Sequence, residues 1–243
     1  MAENAQPIHG LEQRRRTAGI IYAAMFLAVT TGCFMLLFPL FDSHLVRSHK
    51  FGLLRNLDEY SPFSESLFCT IQLFVILFFF RPAKNALLQH VSGNLPRHRA
   101  VANIHLGLIT GIITFLAVSP ALFWEPTPSA LAAFFLDHLI TIPGTSFIAI
   151  LVILLPILSE AFFRAVFLAR LLESTTFIPS LIISTLLFAW TWQVFNPIVT
   201  IILGLACGIL FFRTRSLVAC IVANGVLTLS CLGFLVCRAL YKF

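Results

Sequence analysis

The 243-residue chain is 59% hydrophobic and 11% charged, with a mean hydropathy of +0.95, whereas a soluble domain carries about 25% charged residues. That balance excludes an ordinary soluble globule and predicts an all-α, polytopic transmembrane helical bundle. A formal net charge of +6 raises the question of nucleic acid. However, the basic residues lie in short segments beside apolar runs, without a patch of interleaved aromatics, so no nucleic-acid partner is expected.

In chain order, the first residues, MAENAQPIHGLE, read as a disordered tail. An apolar run from about Ala18 to Phe41 follows Arg14, Arg15 and Arg16. It exceeds the roughly 7 to 15 residues of a signal-peptide core and lacks a clear cleavage site, so it reads as a retained anchor. Further runs cover about 61–80, 104–124, 144–172, 178–195, 197–212 and 216–236, giving about seven spans. Only Asn196 and Pro197 separate the fifth from the sixth. The segment Ser129 to Ile142, with Asp137 and His138, reads as interfacial or re-entrant.

This organisation divides the chain into an N-terminal tail with three helices and an interfacial segment (1–143), a core (144–236) and a C-terminal tail (237–243). With the N-terminus inside, ten basic residues fall on the cytoplasmic side: Arg14, Arg15, Arg16, Arg81, Lys84, Arg97, Arg99, Arg170, Arg213 and Arg215. Five fall on the other, Arg47, Lys50, Arg55, Arg238 and Lys242. The asymmetry favours a cytoplasmic N-terminus in a cell inner (plasma) membrane. Cys33, Cys69, Cys207, Cys220 and Cys231 lie in or beside apolar runs without a CxxC pair, and read as small apolar helix residues.

The stretch SEAFFRAVFLARLL, residues 159–172, places Glu160 and Arg164 four apart within an apolar run. On a helix they share a face, with the acid N-terminal to the base, which suits an ion pair. Each charge alone is costly in a membrane, so the pair is expected to face the bundle interior. It is either a structural pin or part of a functional site. Gly107 with Gly111, and Gly204 with Gly208, form GxxxG patches that let helices approach closely.

Downstream follow STLLFAWTW at 184–192 and ILGLACGILFFRTRSLVACIVANGVLT at 202–228. With the 159–172 stretch, this order resembles the CPBP family of membrane proteins, the CAAX prenyl endopeptidase type II and bacteriocin-processing group also called Abi, over about residues 145–232. The resemblance implies an intramembrane metalloprotease fold. Its pattern is Glu-Glu-x-x-x-Arg, then Phe-x-x-x-His, a Gly-rich helix ending in an Arg-Thr-like turn, and His-x-x-x-Asn or Asp. In active members a glutamate activates water, and histidines hold or position metal and substrate.

Carried over position by position, the paired glutamates fall on Ser159 and Glu160, and the arginine on Arg164. Phe-x-x-x-His falls on Phe188 and Trp192, and the last motif on Asn224 and Thr228. An indole offers one donor and no lone pair for a cation. No histidine follows His138 in the chain, and a conventional zinc site needs about three protein ligands. A rearranged set drawn from His105, His138, Cys207 and Cys220 is conceivable, but nothing in their spacing selects it.

The resemblance therefore implies Glu160 and Arg164 as the retained catalytic pair, and Phe188, Trp192, Asn224 and Thr228 as substrate-binding positions. No metal ligand set and no cofactor are expected. The expected function is a catalytically impaired homologue, embedded in the lipid bilayer, that binds a membrane peptide or a transmembrane partner in a cavity walled by Phe162, Phe188, Trp190 and Trp192. The alternative is an active endopeptidase in which Glu160 is the base, and only then is zinc implied. A transporter fits less well, since one concentrated polar site is visible and no charged pathway.

Overall fold

The computed structural model describes residues 97–123, 149–191 and 197–241, together with 70–78, 84–85 and parts of 17–29. Among the described residues the chain is helical except for two short turns, and there is no strand. Five helices organise it: α1 (Arg97–Phe123), α2 (Ile150–Ser174), α3 (Phe177–Thr191), α4 (Pro197–Thr214) and α5 (Leu217–Tyr241). α1, α2, α4 and α5 are each long and apolar enough to cross a membrane, and α3 is a shorter apolar helix. The expected all-α membrane bundle is what the chain forms. Its first two expected spans lie largely outside the described residues, as does the Ser129–Ile142 segment.

Contacts between named residues give each helix a direction. Ser184 on α3 reaches Phe163 and Arg164 on α2. Leu168 and Leu181 both flank Gly208. Arg164 also reaches Gly204, so α2 and α4 run the same way with α3 antiparallel between them. α5 turns back from α4 after two residues, Arg215 and Ser216. α1 runs parallel to α5, because Gly107 abuts Ala219 and Val222, Gly111 abuts Ala223 and Val226, and Phe123 meets Phe234.

Two consequences follow for the layout. The end of α1 and the start of α2 lie on one face of the bundle, and both interhelical turns, 175–176 and 215–216, lie on the other. That second face collects Arg99, Arg170, Arg213 and Arg215, while Arg238 lies at the opposite end.

The glycines in α1 explain its docking. A side chain at Gly107 would place its Cβ 2.5 Å from the Ala219 carbonyl oxygen, and one at Gly111 would lie 2.8 Å from that of Ala223. Backbone against backbone leaves room only for hydrogen, which is how small residues drive helix association in lipid.

The apolar lipid-facing stripe of α1, including Ile109, Ile112, Ile113 and Leu116, stays exposed. α1 also begins earlier than the apolar run at 104, since it carries a polar first turn and a half from Arg97.

Irregularities within spans are locally repaired. Pro120 cannot donate to the Leu116 carbonyl four residues back, and Ser119 Oγ donates to that oxygen instead at 3.0 Å. Near the end of α1 the Leu122 carbonyl is engaged from another helix. Arg238 of α5 donates to it at 2.7 Å.

α2 is the most buried span, 72% against 28% for α1, so it forms the centre around which the others pack. It is not uniformly α-helical: Ile150–Leu154 and Ala161–Leu168 are π-helical. The Ala169 N–H bonds the Arg164 carbonyl, five residues back. Such widened turns are rare and concentrate at functional sites.

Candidate functional site

Glu160, the last residue before the widened segment of α2, and Arg164, within it, stand in the middle of the bundle with no solvent exposure. Arg164 Nε donates to Glu160 Oε2 at 3.0 Å. Its remaining nitrogens reach two other helices: Nη1 donates to Ser184 Oγ of α3, and Nη2 to the Gly204 carbonyl of α4, each at 3.1 Å. Ser184 in turn donates to the Phe163 carbonyl at 3.3 Å. The guanidinium lies 5.3 Å from the Phe188 ring centroid, a cation–π distance. One side chain thus ties α2, α3 and α4 together.

The other carboxylate oxygen is taken from α5. Asn224 Nδ2 donates to Glu160 Oε1 at 2.9 Å, and Thr228 Oγ1 donates to Asn224 Oδ1 at 3.3 Å. Both side chains are fully buried. Glu160 therefore faces a cationic donor on one oxygen and an amide donor on the other. This network satisfies the rule that a buried charge be paired and hydrogen-bonded.

Gly204 makes the arrangement possible. A Cβ there would meet Thr185 Cγ2 at 2.9 Å and Phe188 Cδ1 at 3.3 Å, so side chains of α3 pack directly on the α4 backbone. That closeness brings the Gly204 carbonyl within reach of Arg164. Phe188 packs edge-on to Phe163 at 5.3 Å between centroids, and Phe163 packs edge-on to Phe162 at 5.1 Å. These rings form a dry floor under the guanidinium.

Of the residues expected at a site, Glu160, Arg164, Phe188, Asn224 and Thr228 come together. Trp192 lies outside the described residues. Ser159, at the position of the first motif glutamate, is buried beside the pair but donates to the Pro156 carbonyl of its own helix at 3.2 Å. Phe162 stands in the buried aromatic cluster. Trp190 is half exposed, and its indole donates to the Ala28 carbonyl at 3.3 Å, joining α3 to the first helical stretch.

Sequence reasoning missed three participants. Ser184 and the Gly204 carbonyl complete the shell of Arg164, and their signals were a serine midway along an apolar helix and the Gly204–Gly208 spacing. The third is a thiol pair: Cys220 Sγ donates to the Cys207 carbonyl at 3.4 Å, and Cys207 Sγ to that of Cys220 at 3.8 Å. These reciprocal contacts join α4 to α5 beside Glu160.

The donor set bears directly on metal chemistry. Among the described residues no three His, Cys, Asp or Glu side chains gather where they could hold an ion. His105 is exposed on α1 while Cys207 and Cys220 are buried in the core, and His138 lies outside the described residues. Both oxygens of Glu160 are engaged by protein donors. These residues do not fit a conventional zinc centre, which takes three protein ligands and leaves a fourth position open.

Comparison with known proteins adds the lineage. No curated protein and no solved structure matches the chain. A family model described as Type II CAAX prenyl endopeptidase Rce1-like matches residues 141–230. The matched residues hold α2, α3, α4, half of α5 and every member of the buried polar network, so it is this core that is similar to the Rce1-like type II CAAX prenyl endopeptidases.

Proposed function

We propose that this membrane protein is a catalytically impaired homologue of the CAAX endopeptidases, a helical scaffold that binds a membrane peptide or a partner helix without cutting it. The observation that carries the reading is the engagement of both Glu160 oxygens, by Arg164 Nε and Asn224 Nδ2, in a cluster with no solvent exposure. A general base must reach the proton it removes, directly or through one water. This carboxylate is instead a hub that holds α2 to α5. The same reading carries the expectation that the protein needs no zinc.

The basic residues favour an N-terminus in the cytoplasm of a cell whose inner (plasma) membrane holds the protein. Arg99, Arg170, Arg213 and Arg215 share the face bearing both interhelical turns, and cytoplasmic faces are enriched in Lys and Arg. The family match favours a second reading, an active endopeptidase with Glu160 as its base and a ligand set of unusual composition.

The deciding experiment reconstitutes the full chain and its Glu160→Gln variant with a prenylated CAAX peptide, beside metal analysis of both. The expected result is no cleavage above the variant's background and no stoichiometric metal. Cleavage by the wild type that the variant loses, with about one metal per chain, would overturn the scaffold reading.

A further inference from the structure

The turn between α4 and α5 is built from Arg213, Thr214, Arg215 and Ser216, and nothing in the proposed scaffold role uses it. Its polar groups are consumed internally, with one exception. Thr214 Oγ1 donates to the Leu210 carbonyl at 2.7 Å and accepts from the Ser216 N–H at 3.2 Å. Ser216 Oγ accepts from the Ala219 N–H at 3.3 Å, capping α5. The Arg215 N–H closes α4 on the Phe211 carbonyl at 2.8 Å. Only the two guanidiniums are left over: both side chains are exposed, and neither joins an ion pair among the described residues. On the same face Arg170 is already paired, with Glu173.

Arg215 is also the one described non-glycine residue with positive φ, at 52°. Helices ending this way usually place glycine there, because a Cβ is strained in the left-handed region. An outlier of this kind points to a function for the side chain that occupies it. The consequence of the conformation is visible: the Arg215 guanidinium lies 5.7 Å from the Phe212 ring centroid, and Phe212 packs against Phe177 at the start of α3 at 4.1 Å. A guanidinium laid over a ring keeps its in-plane N–H groups for another acceptor.

The setting selects the acceptor. The turn joins two candidate spans, Pro197–Thr214 and Leu217–Arg238, so it sits where acyl chains give way to headgroups. Two unpaired cations with planar donor forks match a phosphate oxygen pair, and the start of α5 adds the positive end of its helix dipole. The geometry points to a binding site for the phosphate of an anionic phospholipid headgroup, held by Arg213 and Arg215 with Phe177 and Phe212 against the upper acyl chain. The site rests on the turn alone and stands whether or not the protein cleaves peptides.

The test is thermal unfolding of the full chain in neutral detergent, titrated separately with dihexanoyl phosphatidylglycerol, dihexanoyl phosphatidylcholine and inorganic phosphate. A saturating rise in Tm with phosphatidylglycerol is expected, and none with the other two. Arg215→Gly separates binding from folding: glycine relieves the left-handed strain, so its Tm without lipid should equal or exceed the wild type's while the phosphatidylglycerol response falls by half or more. Arg213→Gln combined with Arg215→Gly should abolish the response. Equal rises with phosphatidylcholine, an undiminished response in the double variant, or the same rise with inorganic phosphate would each overturn the assignment, the last in favour of a free-anion site.

Discussion

Glu160 and Arg164 show how a charge pair survives in an apolar bundle. Breaking a buried pair by removing one member costs about 3–5 kcal/mol, because the other is left uncompensated, whereas replacing both with apolar groups of similar volume is often neutral. Glu160→Gln should therefore lower stability by roughly that amount, and Glu160→Leu with Arg164→Met should recover most of it. Unfolding of the three proteins in detergent checks this, and a double variant no better than the single would show that Ser184 and the Gly204 carbonyl need the guanidinium. Thr185 offers the opposite case: its buried hydroxyl has no hydrogen-bond partner. Thr185→Val should raise stability by about 1 kcal/mol, the scale of an unsatisfied buried polar group. At this scale the pair, its burial and the presence of Asn224 beside it were readable from spacing and motif order. Ser184 and the two thiols were not, since a contact across helices depends on rotation about axes that no local pattern records.

Among the elements, glycines rank the interfaces. At Gly107 the obstacle to a Cβ is the Ala219 backbone oxygen at 2.5 Å, which cannot move without shifting α5. At Gly208 the nearest atom is the tip of the Leu181 side chain, which can rotate away. At Gly233 nothing lies within 4 Å. Gly107→Ala should thus cost about 1–3 kcal/mol, as overpacking does. Gly208→Ala should cost less, and Gly233→Ala should gain up to about 1 kcal/mol from helix propensity. Melting temperatures of the three single variants test the order, and a Gly107→Ala protein as stable as Gly233→Ala would mean that α1 is not docked as described. The GxxxG spacing announced both packed faces, and the apolar runs announced the helices. The π-helical turns of α2 left no trace in sequence, because apolar periodicity cannot distinguish a widened turn from a regular one when every neighbour is apolar.

For the whole molecule, the directions of α2, α3, α4 and α5 place the 175–176 turn and the end of α5 on opposite faces. A reporter inserted in that turn and one fused after Phe243 should register opposite sides of the membrane. If the turn is cytoplasmic, fluorescent protein should mature there and alkaline phosphatase should be active only at the C-terminus. Activity of one reporter at both places would contradict the helix order. The count of basic residues anticipated this face, with Arg99, Arg170, Arg213 and Arg215 assigned together. The sequence held no sign that α1 would pair with α5 rather than with a helix next to it in the chain.

That parallel pairing bears on how the protein is made. α2, α3, α4 and α5 follow one another as hairpins, so each can find its neighbour soon after entering the bilayer. The Gly107 and Gly111 face of α1 has to wait until Ala219 and Ala223 have been synthesised, and contacts so distant in sequence form slowly. During that interval the helix sits in lipid with its docking groove unfilled, open to quality-control machinery or to a stray helix. Cysteines placed at 108 and 222 should cross-link only after the last helix has left the ribosome. Earlier nascent chains should instead yield adducts between position 108 and other membrane proteins.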